Sequence, residues 1–362
     1  MTKIAISAAE TSGDLIGSTL IQELKKQDPT LQIEGLCGEK MQAQGCVQLW
    51  DMSLVNVMGF SEVFKKLPSL LRLRKAIVTY FSRNKPDVFI GVDAPDFNFF
   101  IEKKLKNQEI KTIHFVSPSV WAWRASRVKK IKRASDLILC LFPFEVAFYE
   151  RNNQKAVFVG HPLAEKLTPR KNHQTTKNIL LMPGSRAGEV KRLLPEMLLA
   201  AKSMAEQDPS LSFHLALANE ELLEWSRALI AERDVSLSIN EAHERMQSAD
   251  LVLVASGTAA LELALVGVPM VVVYKLSALS YFIASNLVTS EFISLPNVIA
   301  NKAIVPELIQ TQANGDNIAQ HAMRILQSDQ SALIAEFGKI HKSLHLDADH
   351  ESAKLILKFI HE

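Results

Sequence analysis

Short apolar runs alternate with longer amphipathic segments along most of the chain. Lys3–Ala8 is the first such run, and the segment behind it, up to Leu24, repeats its apolar residues at helical spacing. Similar runs occupy residues 88–92, 112–116, 137–141 and 157–159. Strands that are apolar on both faces and alternate with helices form parallel sheets with helices on both sides. The first half of the chain therefore predicts an α/β domain with a parallel sheet.

A second series begins after the polar stretch 168–178 and occupies residues 179–182, 213–218, 235–239, 251–255 and 270–274. The pattern thus predicts two Rossmann-like α/β domains, 1–168 and 169–340, whose parallel sheets face each other across a cleft. The remaining segment, 341–362, contains an amphipathic helix with an apolar stripe of Leu355, Ile356, Phe359 and Ile360. Such a stripe favours packing of this helix back onto the N-terminal domain.

The apolar segment 251–273 is long enough to span a bilayer, but its own residues argue against that interpretation. Gly257, Glu262 and Pro269 divide it into a strand, a helix and a second strand, which is typical of a buried α/β core. Hydrophobic residues make up 48% of the chain, enough for two packed cores. The formal net charge of +2 gives no reason to expect nucleic acid as a partner.

The cysteines Cys37, Cys46 and Cys140 lie far apart and share no C-x-x-C spacing. This pattern argues against a disulfide framework or a zinc site and suits a reducing compartment. The sequence opens without the pattern of a secretory signal, so the cytoplasm is the expected location.

The turn at Ser256, Gly257 and Thr258 follows a strand and opens a helix. Small residues let a ligand approach the backbone, and the free N–H groups of a helix start attract a diphosphate. Glu262 follows one turn later, where its carboxylate can accept hydrogen bonds from both hydroxyls of a ribose. The alternative is a capped core helix in which Glu262 is merely solvated or paired with the helix dipole.

A second turn of this kind contains Gly184, Ser185 and Arg186, directly after the run at 179–182. Arg186 can bind a phosphate through two parallel N–H groups. Two such turns in one domain predict a nucleotide-diphosphate site. Since no Gly-Lys-Ser/Thr sequence follows either turn, the P-loop of an ATPase is excluded.

The first turn of the N-terminal domain is acidic rather than glycine-rich. Glu10 and Ser12 lie between the first strand and the first helix. A carboxylate there would repel a pyrophosphate, so a sugar hydroxyl is the better partner. A helix N-cap formed by Ser12 or Thr11 is the alternative.

Asp93 lies at the end of the run 88–92, which makes it a candidate general base. Asp96 follows three residues later, and capping of the next helix by either carboxylate is the alternative. No third ligand accompanies this pair, so no metal site is assigned.

Residues 55–83 form a basic amphipathic pattern, in which Pro68 is expected to start a new helix. The pattern favours insertion into a membrane interface, and packing against the domain core is the alternative. A second basic segment begins at Arg124, after an aromatic loop, and would attract phosphates of a ligand or of a lipid surface. His114, which precedes that loop, is interpreted as structural. The membrane-facing candidates within 55–83 are Phe64, Leu67, Leu70 and Leu71.

Taken in order, these segments resemble the lipid-A-disaccharide synthase family from end to end. The most specific matches are Val92-Asp93-Ala94-Pro95-Asp96-Phe97 and Pro118-Ser119-Val120-Trp121-Ala122-Trp123-Arg124. Three further matches are shared in looser form by other UDP-sugar enzymes: Pro183-Gly184-Ser185-Arg186, the stretch 256–262 and Ser294-Leu295-Pro296-Asn297.

The resemblance implies the GT-B fold, a UDP donor on the C-terminal domain, and no metal or other cofactor. It implies transfer of 2,3-diacylglucosamine from UDP to the 6-hydroxyl of 2,3-diacylglucosamine 1-phosphate (lipid X), with inversion. The products would be UDP and a β-1,6-linked disaccharide 1-phosphate. Asp93 would be the base, with Asp96 or Glu10 as alternatives, and Arg186 would stabilise the departing UDP. Asn297 would join the donor site, whereas Glu10 and Ser12 would face the sugars.

The resemblance also implies peripheral association with the cytoplasmic face of the inner membrane. The acyl chains would be held near 57–71 or near 281–293, and a homodimer is an open alternative to a monomer. One rival is another GT-B enzyme, an N-acetylglucosaminyltransferase or a UDP-N-acetylglucosamine 2-epimerase. A rival from another class is a non-catalytic, nucleotide-responsive protein of the membrane surface, which would have no use for a poised Asp93.

Overall fold

A computed structural model describes residues 1–55, 60–120, 127–170, 176–231, 234–277, 281 and 290–362, and the side chains of 60–66 lie outside this description. The chain forms two compact units. The first consists of Met1–Pro162 together with Leu344–Glu362, and the second consists of Leu163–Ser343. The boundaries therefore fall at 162/163 and 343/344, whereas the sequence predicts 168/169 and 340/341.

The connecting segment up to residue 170 belongs to the second unit, and Arg170 attaches it there. The backbone N–H of Arg170 donates to the carbonyl of Val266, and its guanidinium donates to the carbonyls of Ala249 and Gly267. Burial lowers the pKa of Arg170, and the charge of Asp250 opposes this shift.

The first unit contains seven parallel strands and the helices between them. The strands are β1 (Lys3–Ala8), β2 (Gln32–Cys37), β3 (Val47–Asp51), β4 (Val88–Val92), β5 (Lys111–Phe115), β6 (Leu137–Cys140) and β7 (Ala156–Phe158). The helices are α1 (Thr11–Gln27), α2 (Glu39–Ala43), α3 (Phe60–Arg83), α4 (Pro95–Lys106), α5 (Val128–Ala134) and α6 (Pro143–Glu150). The strand order in the sheet is β3-β2-β1-β4-β5-β6-β7.

The second unit repeats this architecture with six parallel strands. The strands are β8 (Asn178–Met182), β9 (Ser212–Leu217), β10 (Ser236–Ile239), β11 (Leu251–Ala255), β12 (Met270–Tyr274) and β13 (Glu307–Ile309), in the order β10-β9-β8-β11-β12-β13. The helices are α7 (Pro162–Lys166), α8 (Ala187–Gln207), α9 (Glu220–Ile230), α10 (Ala242–Ser248), α11 (Thr258–Val266), α12 (Leu295–Ala300), α13 (Gly315–Gln327) and α14 (Ser331–Leu344).

The apolar runs become central strands because both of their faces are covered. Every residue of β4 and of β11 is buried, as expected for strands between two layers of helices. The segment 251–273, long enough to cross a bilayer, is instead β11, α11 and most of β12. Among the helices that the structure describes, none is both long enough and apolar enough to cross a membrane.

Both sheets reverse their strand order beside their first strand. In the first unit β1 lies between β2 and β4, and in the second unit β8 lies between β9 and β11. At such a switch point the connections on either side of the first strand diverge and leave a crevice at the carboxyl ends of the strands. The turns after β1 and β4, and those after β8 and β11, therefore flank one binding position in each unit. These four turns carry most of the candidate residues of the sequence analysis.

The prediction for Pro68 is wrong. Pro68 lies inside α3 and does not start a new helix. A proline inside a helix removes one backbone donor, but Pro68 is exposed, so water can satisfy the carbonyl that loses its partner. Farther along α3, Ile77 and Phe81 are fully buried in the core of the first unit, as the packing alternative predicted for this helix.

The last helix, α15 (Ala348–His361), packs in the first unit. Ala353 and Ile356 are fully buried in the apolar cluster that also contains residues of α1 and β1. Thr19 of α1 donates to the Asp349 carboxylate at 2.9 Å, and the ammonium of Lys111 caps the helix by donating to the carbonyls of residues 359 and 360. Helix α15 is therefore part of the core of the first unit rather than an appendage.

Candidate functional site

The turn after β4 has a strained backbone. Asp93 and Ala94 both have positive φ angles, 52° and 42°, a conformation that costs a non-glycine residue about 1–3 kcal/mol. The buried amide of Asn98 holds this turn, because its Nδ2 donates to the carbonyls of Ser7, Val92 and Asp93. Its Oδ1 accepts from the Ser7 hydroxyl at 2.7 Å. The fold thus fixes the backbone of the candidate base.

The carboxylate of Asp93 is half-buried and only partly engaged. One oxygen accepts from the Ser12 hydroxyl at 3.0 Å, and the other accepts from the backbone N–H of Ala94 at 2.8 Å. A carboxylate has about four acceptor positions, so Asp93 can still accept a proton from a bound hydroxyl. Neither capping alternative is observed, since neither α1 nor α4 has a side-chain N-cap bond.

Glu10 lies beside this carboxylate in the turn after β1. Burial raises the pKa of Glu10, and the negative charge of Asp93 raises it further. Asp14, four residues later, has a different role. Its buried carboxylate accepts from the N–H groups of Gly38, Lys40 and Met41 at the start of α2, a position where Gly38 offers no side-chain cap.

A cavity of about 660 Å³ opens beside these turns. Glu10, Thr11 and Ser12 form part of its wall, together with Pro95 and Asp96 at the start of α4. The wall also includes two residues of α3, Leu70 and Arg74. The first unit therefore presents hydroxyl, carboxylate and guanidinium groups around one cavity.

His114 has no place in this cavity wall. It is fully buried, and its Nδ1 lies 2.7 Å from the Glu102 carboxylate, which also accepts from the Ser135 hydroxyl. A Cβ at Gly91 would collide with Glu102, so the glycine makes room for this buried pair. The arrangement connects β5, α4 and the end of α5, in agreement with the structural interpretation of His114.

The second unit has a cavity of about 480 Å³ at its own switch point. Helix α11 begins at Thr258, and no acceptor among the described residues meets the backbone N–H groups of Gly257, Thr258 and Ala259. A Cβ at Gly257 would meet no atom within 4 Å. The glycine therefore leaves the cavity open in front of these donors, as an anion site requires.

Ser256 supports this turn with groups that are already engaged. Its backbone N–H donates to the Val273 carbonyl at 3.1 Å, and its hydroxyl donates to the carbonyl of Ile293 at 3.1 Å. Ser256 borders the cavity, but its hydroxyl and its backbone N–H already donate to the carbonyls of Ile293 and Val273.

The turn after β8 supplies the cation of this cavity. Gly184 has a φ of 112°, and a Cβ there would lie 2.7 Å from the Glu189 carboxylate, so both conformation and space require the glycine. Ser185 and Arg186 are exposed, and the Arg186 guanidinium lies 3.1 Å from Glu189. An exposed pair of this kind contributes little to stability, which leaves Arg186 available to a ligand.

Glu262 lies one turn into α11, and its side chain is 17% exposed. Burial raises the pKa of Glu262, and the charge on His243 acts in the opposite direction. The imidazole of His243 lies 3.9 Å from the Glu262 carboxylate and belongs to the cavity wall. Sequence reasoning missed His243, because a histidine in the polar segment of α10 gives no local signal.

Asn297 is almost fully buried, and its amide is saturated by neighbouring groups. Its Nδ2 donates to the Val305 carbonyl and the Glu307 carboxylate, and its Oδ1 accepts from the N–H groups of Ile304 and Val305. Glu307 also accepts from the N–H and hydroxyl of Ser294. Asn297 therefore ties α12 to the segment that follows it, and its amide has no free group for a ligand.

The membrane candidates on α3 differ in exposure. Leu67 and Leu71 are 45% and 48% exposed, whereas Leu70 packs partly against the core and borders the first-unit cavity. The side chain of Phe64 lies outside the described residues, as do 121–126 and most of 281–293. No cluster of three metal-ligating side chains occurs in the described ranges.

Solved structures with this architecture include a UDP-GlcNAc 2-epimerase and a glycotransferase. A UDP-GlcNAc 2-epimerase from Neisseria meningitidis, solved bound to UDP-GlcNAc, aligns with 99% of this chain and 99% of its own, at 14% identity and a TM-score of 0.65. The glycotransferase of kitacinnamycin aligns with 98% of each chain, at 14% identity and a TM-score of 0.62. The fold is therefore that of the GT-B class, with two α/β domains built on parallel sheets.

The sequence narrows this class to one family. The family model for lipid-A-disaccharide synthetase matches residues 4–357. The lipid-A-disaccharide synthase of Aeromonas hydrophila is 41% identical over 99% of this chain and 98% of its own length. That of Psychromonas ingrahamii is 43% identical over 98% of this chain and 97% of its own. The chain belongs to the lipid-A-disaccharide synthase family and is a glycosyltransferase, which confirms the resemblance inferred from its motifs.

Proposed function

We propose that this glycosyltransferase moves 2,3-diacylglucosamine from UDP to the 6-hydroxyl of lipid X in a single inverting displacement. The observation that carries the proposal is the half-engaged carboxylate of Asp93, fixed by Asn98 and Ser12 in a strained turn. Strain of this kind is retained where a site needs a group in one defined position. A single displacement needs one base and one stabilised leaving group.

Asp93 takes the proton of the acceptor hydroxyl as that oxygen attacks the anomeric carbon. The bond from this carbon to the UDP oxygen breaks at the same time, and UDP leaves as the anion. The N–H groups at the start of α11 and the guanidinium of Arg186 stabilise the charge that develops on UDP. The carboxylate of Glu262 accepts hydrogen bonds from the ribose hydroxyls, and Glu10 and Ser12 contact the acceptor sugar.

The reaction takes place at the cytoplasmic face of the inner membrane, where the acylated substrates reside. Leu67 and Leu71 support this part of the proposal, since both are exposed on a helix that also exposes Arg72 and Lys75. Apolar side chains flanked by basic ones favour insertion into the headgroup region of an anionic membrane.

The test is a coupled UDP-release assay with UDP-2,3-diacylglucosamine, run with and without lipid X. The expected result is UDP release that depends on lipid X, with a disaccharide 1-phosphate detected by mass spectrometry. Chemical determination of the new linkage checks the inversion separately. Release from UDP-N-acetylglucosamine with no response to lipid X would contradict the proposal and favour an epimerase-like or N-acetylglucosaminyl-transfer activity.

A further inference from the structure

Arg74 is a half-buried cation in the wall of the first-unit cavity. Its Nη2 donates to the backbone carbonyl of Asp96 at 2.6 Å. The guanidinium carbon lies 5.1 Å from the ring centroid of Phe97 and 5.7 Å from that of Phe100. Contacts of a guanidinium with aromatic faces are attractive, and together with the carbonyl they fix the orientation of this side chain.

No carboxylate in the described part of the chain forms an ion pair with Arg74. The carboxylate of Asp96 pairs with Arg127, with 3.5 Å between the paired atoms, although its charge still acts to raise the pKa of Arg74. The Nε of Arg74 is buried and has no partner in the described residues. Burial also lowers the pKa of Arg74, although a guanidinium stays charged at neutral pH. A partly buried cation without a counter-ion is costly, and a bound anion would remove that cost.

The other polar groups of this cavity suit a different part of a ligand. The Glu10 carboxylate would repel a phosphate, and together with the hydroxyls of Thr11 and Ser12 it matches the hydroxyls of a sugar. Arg74 is placed on α3, away from the turn that carries them, and offers several N–H donors. A ligand with hydroxyls at one end and a phosphomonoester at the other matches both parts of the wall.

We propose that Arg74 is the phosphate subsite of the acceptor cavity and binds the phosphomonoester of a sugar 1-phosphate. The identity of that sugar as lipid X rests on the proposed function, whereas the class of ligand follows from the cavity itself. Anchoring the phosphate on α3 holds the sugar by one end. The acceptor hydroxyl is then presented to Ser12 and to the carboxylate of Asp93, to which Ser12 is hydrogen-bonded.

The phosphate of an anionic lipid headgroup has the same chemistry, so the test must separate the two sources. The informative variants are Arg74→Gln, which removes the charge, and Arg74→Lys, which keeps it without the planar fork. Arg83→Gln is the matched control, because Arg83 lies on the same helix, is exposed, and is not part of the cavity wall. Thermal unfolding of each variant checks that the fold is retained.

The first measurement compares kcat/KM for lipid X with kcat/KM for 2,3-diacylglucosamine without the phosphate, both in detergent micelles. Arg74→Gln is expected to lower the value for lipid X about 10- to 100-fold, the loss typical of a charge-assisted hydrogen bond, and to change the other value little. Arg74→Lys should retain part of the preference, and Arg83→Gln should retain all of it. Equal losses for both acceptors would overturn the proposal.

The second measurement is equilibrium binding of glucosamine 1-phosphate and of glucosamine to the full chain, which requires no turnover. If Arg74→Gln binds glucosamine 1-phosphate more weakly than the wild type, the subsite is supported. This holds even if lipid X fails to stimulate UDP release and the proposed reaction is wrong. Binding that is the same in both proteins overturns the subsite. An effect of Arg74→Gln seen only with vesicles of phosphatidylglycerol, and absent in micelles, would assign Arg74 to a lipid headgroup and equally overturn it.

Discussion

The two units carry the same sheet topology and differ in the residues placed where their strands end. At the switch point of the first unit the turns contain Glu10 and Asp93, and α4 begins with Pro95, which has no N–H to offer. At the switch point of the second unit the turns contain Gly184 and Gly257, and the N–H groups at the start of α11 face an open cavity. One module thus supports acid–base chemistry and the other supports anion binding.

The comparison shows that the residue types in a few strand-to-helix turns distinguish the two kinds of site. In the first unit the turns carry carboxylates, and the Asn98 amide network holds a strained backbone in place. In the second unit small residues keep the backbone accessible, and Arg186 adds the only long cationic side chain among the described residues of that cavity wall. Substitutions in each unit can test this difference between acid–base chemistry and anion binding.

The largest expected effect comes from Asp93→Asn. The amide oxygen can still accept from the N–H of Ala94, the amide NH2 can donate to the Ser12 hydroxyl, and asparagine tolerates the positive φ, so the turn should persist. Loss of the base is expected to lower kcat about 10²- to 10⁴-fold while the affinity for UDP stays unchanged. Asp96→Asn, which alters an exposed carboxylate, is the control. Full activity of Asp93→Asn with an inactive Asp96→Asn would transfer the role of base to Asp96.

Glu262→Gln tests the ribose contact of the second unit. We expect the dissociation constant for UDP to rise about 10- to 100-fold at neutral pH, measured by calorimetry, because a charged acceptor is lost. The ratio of the UDP affinity of the wild type to that of Glu262→Gln should shrink as the pH falls through the raised pKa of Glu262, because the wild-type carboxylate then becomes protonated. Using the ratio cancels the titration of the UDP phosphates. A ratio that does not change with pH would contradict the role of the ionised carboxylate.

The same substitution has an opposite effect on stability. When a carboxyl group has a raised pKa in the folded state, the protein loses folding stability as the pH rises from the group's unfolded pKa to its folded pKa. At neutral pH the ionised Glu262 is therefore a cost, and Glu262→Gln should unfold at a temperature no lower than the wild type. A clearly lower unfolding temperature would indicate a structural role for the carboxylate.

The two glycines of the second unit are predicted to respond differently to alanine. Gly257→Ala should leave the unfolding temperature unchanged, since its Cβ meets open space, but should weaken UDP binding several-fold by intruding on the cavity. Gly184→Ala should destabilise the unit by about 1–3 kcal/mol, because φ is positive and Glu189 lies in the way. Equal stability of the two variants in urea would contradict this distinction.

The smallest effect concerns the exposed leucines of α3. Leu67→Glu and Leu71→Glu are each expected to weaken sedimentation with anionic liposomes roughly three- to tenfold, because each replaces an inserted apolar group with a like charge. Leu199→Glu is the matched control, an exposed leucine of the second unit. Undiminished sedimentation of both α3 variants would exclude this face as the membrane contact.

Local patterns in the sequence predicted the strands that are buried on both faces. The bounds of β1, β4, β11 and β12 agree with the apolar runs, and α11 begins at Thr258, in the turn predicted to open a helix. Strands β2, β3 and β13 were missed because Gln32–Cys37 and Val47–Asp51 mix polar with apolar residues and Glu307–Ile309 is too short to give a pattern. Strands with continuous apolar runs were therefore found more reliably than strands that contain polar residues.

The candidate site was predictable as far as its residues lie in the turns after the apolar strands. Arg74 and His243 were missed because each reaches its cavity from a helix, through contacts that sequence spacing does not encode. Asn297 was expected at the donor site, but its amide is used by neighbours that lie up to ten residues along the chain. Position within a motif, in short, does not show whether a polar side chain is free.

The return of the chain to the first unit has a consequence for its synthesis. Helix α15 supplies Ile356 and Ala353 to the first core, yet a ribosome makes these residues only after all of Leu163–Ser343. Most of the second unit therefore emerges from the ribosome while the first unit still lacks α15 and exposes the apolar groove along α1. A chaperone that shields such grooves would be needed longest by the half of the protein that emerges first.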